Sequence, residues 1–401
     1  MNPDPVLFQA AATRHLPAAL DLLRELVAVN SFTTNAEGVD KVAGITAAAF
    51  APLGFRADLV PCSYPGAGPH LFLTRPGEGD PIVLVTHSDT VFPVEEEEKN
   101  DFRWDERPNE GRIYGPGTID NKGGTALIWL ALMTLREVDP RAYERSHWLV
   151  AANAAEEVTG DDFGLVTARR CHGKARAVLV YEGGPVDAQG WHLVVSRKGR
   201  STWRLDAEGR AAHAGSKHHE GINAIDALAP SLPRIAALTD PNEDRTVNLG
   251  RIEGGTVVNR VPHEAAAEWE CRATDPASLE RADAFFSALS GKAANGATLR
   301  ASRTGHTSPW PGGEGTMALF AKWEKAAAAM GLKAVAVPRG GLSDANHLWR
   351  LGPTLDGLGP SGGNAHCSER TADGSKLPEY LEVASMVPKA VMNAIAWSGM
   401  E

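Results

Sequence analysis

The residues most able to do chemistry in this chain are histidines and carboxylates standing just after short apolar runs. His87 and Asp89 follow PIVLVT in the segment THSDTVFP. Alternate residues of an extended segment point the same way, so both side chains can face one site. A histidine there is a candidate metal ligand, and an aspartate beside it can accept the other ring N–H and fix the ring's orientation. Asp120 lies in GRIYGPGTIDNKGG, immediately ahead of an apolar helical pattern. An aspartate so placed is an ordinary helix cap, but the glycines around it also allow backbone to approach closely around whatever its carboxylate holds. The segment is not a phosphate loop, because GxxxxGK[ST] is absent and Lys122 precedes the glycine pair.

Glu156 and Glu157 are adjacent in NAAEEVTGDD, after the run HWLVAAN. Two like charges at the end of a buried strand are costly unless a cation or a proton compensates. In an extended stretch they diverge, so one can bind a metal while the other reaches a metal-bound water as general base. Glu182 follows ARAVLVY, and His366 lies in SGGNAHCSE. Two histidines and several carboxylates around Asp120 suit zinc, with cobalt or manganese as substitutes. Spacing alone does not say which member of the Glu156–Glu157 pair plays which part.

The elements that must position these residues read as α/β. Apolar positions have helical spacing over residues 15–29 and 39–50, after which short apolar runs alternate with longer helical patterns. PIVLVT, HWLVAAN, ARAVLVY and KAVAVP, the last just before Arg339, read as buried strands. Open α/β sheets bind ligands beyond the carboxyl ends of their strands, where these residues fall. From about Ser196 to Gly305 the pattern becomes β-α-β-β-α-β, a ferredoxin-like α+β insert whose edge strand can pair with another chain. The expected domains are therefore 1–195 with 306–401, and an inserted 196–305. A length of 401 residues agrees with two cores. The acidic run Glu95–Glu98 reads as a solvated loop.

A composition of 43% hydrophobic and 22% charged residues is that of a globular protein. The net charge of -10 argues against general affinity for nucleic acid or anionic membranes, so an anionic substrate needs a locally placed arginine. Cys62, Cys171, Cys271 and Cys367 are scattered and read as reduced thiols. The first residues lack the form of a secretory signal, and no run is long and apolar enough to span a bilayer, so the cytoplasm is the expected compartment.

Taken together, HSDTVFP, GPGTIDNKGG, AEEVTG, YEGG and NAHCSE resemble the co-catalytic di-zinc aminoacylase and carboxypeptidase metallopeptidase family. That family includes bacterial glutamate carboxypeptidases, acetylornithine deacetylase and succinyl-diaminopimelate desuccinylase, and the resemblance covers nearly the whole chain. It implies a catalytic domain with a central mixed sheet flanked by helices, and an insert that serves as dimerisation domain in a homodimer. It also implies two zinc ions per subunit, His87 and Glu182 on one, Glu157 and His366 on the other, with Asp120 bridging. Glu156 would be the general base and Asp89 the group orienting His87. His213, in GRAAHAGSKHHEGINA, resembles the histidine that reaches the partner subunit's active site in many members. Arg303, Asn259 and Arg272 lie where glutamate carboxypeptidases place substrate-contacting or site-supporting groups. Gly340, Gly341 and Ser343 in PRGGLSDANHL offer a second anion cradle, since carboxylates are held best by arginine forks or backbone N–H groups. The implied reaction is hydrolysis of the amide bond next to a free carboxylate in a small N-acyl amino acid or peptide. YEGG followed by a strand and RKG resembles the glutamate carboxypeptidase branch more than the deacylases.

Overall fold

The computed structural model of this chain describes residues 4–158 and 161–400. Two compact units divide it: one comprises the residues up to Val195, Gly312–Pro338 and the residues from Ser343 onward, the other Ser196–Pro311 with Arg339–Leu342.

The first unit is built on a six-stranded mixed sheet, in the order Arg56–Pro61, Pro69–Arg75, Ser146–Asn153, Glu78–His87, Ala177–Val180 and Thr354–Leu355. The first two strands are antiparallel to their neighbours; the remaining contacts are parallel. In register, Leu84 sits beside Val150 and Leu179, all buried, which is why these strands read as unbroken apolar runs. His87 is level with Asn153, so the ends of the parallel strands deliver the segments bearing His87, Glu156 and Glu182 to one sheet edge. The helices Pro5–Val27, Lys122–Val138 and Val383–Ser398 flank the sheet and share its core, including Leu23, Leu127, Leu130, Met386 and Trp397. Each such side chain contributes roughly 1.5–3 kcal/mol on burial.

Several expectations are corrected. The first helix begins at Pro5, because Asp4 accepts a hydrogen bond from the Val6 N–H and proline suits the first turn. The acidic run is not a loop: Val94–Lys99 is helical, with glutamates in the first turn where the helix dipole favours them, and Glu97 is half-buried. KAVAVP does form a strand, Ala334–Arg339, but at the edge of a separate three-stranded sheet, where only Ala334 is buried. An edge strand covered on one face keeps its β-branched residues half-exposed.

The second unit has a five-stranded antiparallel sheet in the order Thr246–Gly254, Glu264–Ala273, Gly199–Glu208, Thr298–Thr307 and Gly291–Lys292. Its four long strands have the ferredoxin-like arrangement, with Thr246–Gly254 at an edge. The helical pattern over 221–238 is split into Ala224–Leu228 and Ser231–Ala236, with Pro230 between them lacking the N–H a continuous helix needs. Trp203, Leu205, Trp269, Cys271 and Phe286 are among the residues of a separate core. All four cysteines are free thiols. Among the described residues no helix is long and apolar enough to cross a membrane.

Candidate metal centre

His87 ends its strand with its side chain wholly buried. Its Nδ1 lies 3.1 Å from the Asp89 backbone carbonyl, an acceptor that keeps the ring proton on Nδ1 and leaves the Nε2 lone pair for a cation. Nε2 is 2.8 Å from Asp120 Oδ1 and 3.8 Å from Glu182 Oε1. Asp89 thus contacts the ring chiefly through its main chain, with its carboxylate 3.4 Å from Nδ1.

That carboxylate has other work. Asp89 Oδ1 accepts the Glu156 N–H at 3.1 Å, and Oδ2 accepts the Glu157 N–H at 3.3 Å and the Thr33 hydroxyl at 2.7 Å. These bonds hold Glu156–Val158 as a single 3₁₀ turn, which corrects the extended geometry expected for the pair. Thr159 and Gly160, the next residues of that motif, lie outside the described residues. The turn separates the two glutamates. Glu157 Oε2 is 3.2 Å from His366 Nε2, whereas Glu156 joins neither cluster of candidate ligands. His366 Nε2 is also 3.3 Å from Asp120 Oδ2. His366 stands on a loop at φ 66°, a left-handed conformation uncommon for a non-glycine residue.

Two groups of candidate ligand atoms share Asp120, His87–Asp120–Glu182 and Asp120–Glu157–His366, each gathered within 4.8 Å; a third, Cys62–His70–Asp162, lies apart from them. Asp120 turns one oxygen toward each histidine of the first two. Burial pushes the Glu156 carboxyl well above the usual carboxylate range, and it raises Glu157 as well. Hydrogen bonds to Asp120 and Glu157 raise the His366 imidazole to about 10. Burial works against charge on His87, but Asp120, Asp89 and Glu182 outweigh it and raise its proton affinity too. Asp120 is held low by the two histidines, against the pull of its burial. The histidines and carboxylates thus compete for the same few protons within one cluster. In addition, Glu157 Oε1 is buried with no hydrogen-bond partner. Two cations sharing Asp120 fit this donor set: they would take the place of the histidine protons and satisfy the orphaned oxygen.

Sequence reasoning missed the residues that position the candidate ligands. Glu379, fully buried, accepts the N–H groups of Ile119 and Asp120 at 2.9 and 3.1 Å, while its own N–H donates to the Cys367 carbonyl beside His366. Burial, reinforced by the Asp120 charge, raises its carboxyl to about 8. Asp344 is buried, accepts from Asn153 Nδ2 at 2.8 Å, and is pushed up to about 7 by burial. Thr33 and Asn121 complete the set. Asn121 and Asp344 stand inside GPGTIDNKGG and PRGGLSDANHL but were passed over for their neighbours, and Thr33 and Glu379 stand in no motif with a spacing signal.

The remaining candidates lie mainly in the second unit. His213 is exposed and bridged to Arg260, and its Nδ1 accepts the N–H groups of Gly215 and Ser216, both at 3.1 Å. The Ala214 N–H donates to the Asn259 carbonyl, so His213 and Asn259 are neighbours. Arg272 donates to the Gly340 carbonyl at 3.1 Å and to Glu270 at 3.0 Å, and the Gly341 carbonyl accepts from Arg197. Arg303 is partly committed to Asp283 at 3.0 Å. Ser343, in the first unit, is buried, and its hydroxyl donates to Asp356 at 2.8 Å.

The fold is one known from solved peptidase structures. Over 96% of this chain it matches 98% of aminopeptidase PepT from Bacillus cereus with a TM-score of 0.74 at 22% identity, and an M20 family metallo-carboxypeptidase from Sulfolobus solfataricus with a TM-score of 0.69 at 15% identity, covering 95% of this chain and 99% of that one. Residues 195–297 match the M20-type family described as "Peptidase dimerisation domain". Among named homologues, carboxypeptidase G2 of a Pseudomonas species is 30% identical over 272 residues, 67% of this chain and 63% of that protein. Acetylornithine deacetylase of Pectobacterium carotovorum is 28% identical over 269 residues, 62% of this chain and 65% of that protein. The matched stretch thus spans a little under two thirds of each of these relatives.

Proposed function

We propose that this chain is a metal-dependent hydrolase that cleaves an amide bond next to a free carboxylate, in the manner of a glutamate carboxypeptidase. The observation that carries the reading is Asp120 set between two histidine-containing ligand groups, with half-buried Glu156 belonging to neither. In this reading two zinc ions would be held, one by His87, Asp120 and Glu182 and the other by Asp120, Glu157 and His366. Such a pair, when bound, makes water acidic enough to attack at neutral pH and polarises the scissile carbonyl.

Glu156 accepts the proton released as water oxygen bonds to the carbonyl carbon, then delivers it to the departing amine nitrogen as the C–N bond breaks. A carboxylate whose proton affinity is raised by burial suits both halves of that task. The 3₁₀ turn, fixed on Asp89, keeps Glu156 free of ligation. The first unit is the catalytic domain and the second the dimerisation domain, pairing through the exposed edge strand Thr246–Gly254 in a homodimer. With Nδ1 of His213 accepting two backbone N–H groups, Nε2 is the ring nitrogen left to donate, and it serves as a hydrogen-bond donor to the carbonyl oxygen of substrate in the partner's site. Arg272, Asn259, Arg303 and the backbone of Gly340 and Gly341 would receive the substrate carboxylate. Free thiols accord with a cytoplasmic setting.

A second reading, an N-acyl-amino-acid deacylase, is favoured by the similarity to acetylornithine deacetylase and uses the same centre. Release of amino acid from a panel of N-acyl amino acids and dipeptides separates the two. Chelation should abolish activity, and zinc or cobalt should restore it without refolding, since the ligands stand on a preformed scaffold. Full activity after verified metal removal would refute the proposal.

A further inference from the structure

The residue after the shared aspartate is out of keeping with its place in the fold. Asn121 is the N-cap residue of the helix Lys122–Val138, a position where asparagine ordinarily caps a backbone N–H with its side chain. Here it makes no such bond. The side chain is fully buried and turned toward the sheet edge, where Nδ2 donates to Glu182 Oε1 at 2.9 Å and Oδ1 accepts from Thr86 Oγ1 at 3.2 Å. Thr86 Oγ1 is also 2.9 Å from Thr125 Oγ1, so the hydroxyl that steadies Asn121 is itself steadied. The glycine pair after Lys122 fits this arrangement: a Cβ on Gly124 would come within 1.9 Å of Asn121 Oδ1 and 2.5 Å of the Tyr181 carbonyl.

One amide thereby ties together three segments. It follows Asp120 in the chain, it binds the Glu182 carboxylate, and it is held by the residue preceding His87. Those three segments carry the members of one ligand group, and no bond from the Asn121 side chain runs to Glu157 or His366 among the contacts described. We infer that Asn121 is a positioning residue for the His87–Asp120–Glu182 half of the centre alone. It gives up the helix cap to hold the Glu182 carboxylate, a long side chain that otherwise has rotamer freedom, in the orientation a cation requires.

The inference rests on the two-cation reading above, and its test keeps the two apart. Metal-free full-length protein would be titrated with zinc and with cobalt against a chromophoric competing chelator. The proteins compared are wild type, Asn121→Leu, Thr86→Val and the double variant, with circular dichroism as the check on folding. Asn121→Leu should weaken one of the two ions roughly 10- to 100-fold and leave the other unchanged, as loss of a partner to a ligating residue typically does. Thr86→Val, which conserves shape, should weaken the same ion less, and should add nothing in the Asn121→Leu background. Assignment comes from single-ion backgrounds. With His366→Ala present, Asn121→Leu should weaken the remaining ion and alter its cobalt absorption spectrum; with His87→Ala present it should do neither. Equal loss at both ions, no loss at either, or a Thr86→Val effect that adds independently would overturn the inference. Uptake of fewer than two ions by the wild type would overturn the underlying reading itself.

Discussion

Acidic side chains are buried in both units of this chain, with opposite electrostatic results. In the first unit, Glu156, Glu157, Asp344 and Glu379 all bind protons more tightly than free carboxylates, and burial is the leading cause at each. In the second, Asp283 is also nearly buried, yet it is held down at about 2. Burial pulls it upward, but His306, Ser201, Trp203 and Arg303 overcome that pull. Trp203 Nε1 and Arg303 reach it at 2.9 and 3.0 Å. Arg204 is similarly surrounded, by Asp206, Glu268 and Glu253. Matched charge builds a scaffold, whereas unmatched charge held in place by that scaffold marks a site prepared for something else.

The contrast is broken most forcefully at Glu156. Glu156→Gln should lower turnover by about 10²- to 10⁴-fold, the usual reach of a general acid–base group. Metal content should stay at the wild-type level while Glu157→Ala loses metal. Elemental analysis of both variants decides the matter, since equal loss would mean that the pair is assigned the wrong way round.

An intermediate effect is expected from Asp283→Asn. A folded-state pKa of about 2 against the usual 3.8 means that ionised Asp283 favours the folded state by about 2 kcal/mol, present above pH 4 and lost as the pH falls toward 2. Denaturant unfolding should show the variant less stable by that amount at pH 7, with the gap narrowing near pH 2.5. A gap independent of pH would mean that packing, not charge, is responsible.

The smallest effect belongs to Arg204→Gln. This arginine lies on the sheet surface with its side chain 31% exposed, so its network should contribute under about 1 kcal/mol, reduced further by salt. A loss of several kcal/mol on thermal or denaturant unfolding would show that the second unit depends on surface pairing more than the contrast allows.

Much of this was legible in the residues alone. Buried parallel strands write themselves as continuous apolar runs, so the placement of His87, Glu156 and Glu182 just beyond three of them could be read directly, and the alternating strands of the insert were equally plain. What escaped notice depends on contacts between distant residues. The 3₁₀ turn at Glu156 is held by a carboxylate 67 positions earlier, and local pattern suggested an extended chain instead. Glu379, in a stretch reading LPEYLE, gives no sign that it will receive the backbone of Asp120. KAVAVP has a strand's composition, but composition does not reveal that its sheet is small and covered on one side. Pro230 was visible, yet the long helical pattern around it masked the break.

Asp89 has a consequence for anyone who would transplant this centre into another protein. Its two oxygens receive three donors, the N–H groups of Glu156 and Glu157 and the Thr33 hydroxyl. An amide of identical shape would turn one of those oxygens into a donor facing donors, so the nearest structural mimic is a poor replacement. Copying the ligands alone would therefore reproduce the tools without the bench they are bolted to. The smallest transferable piece is the ligand set together with Asp89, Thr33 and the turn they secure.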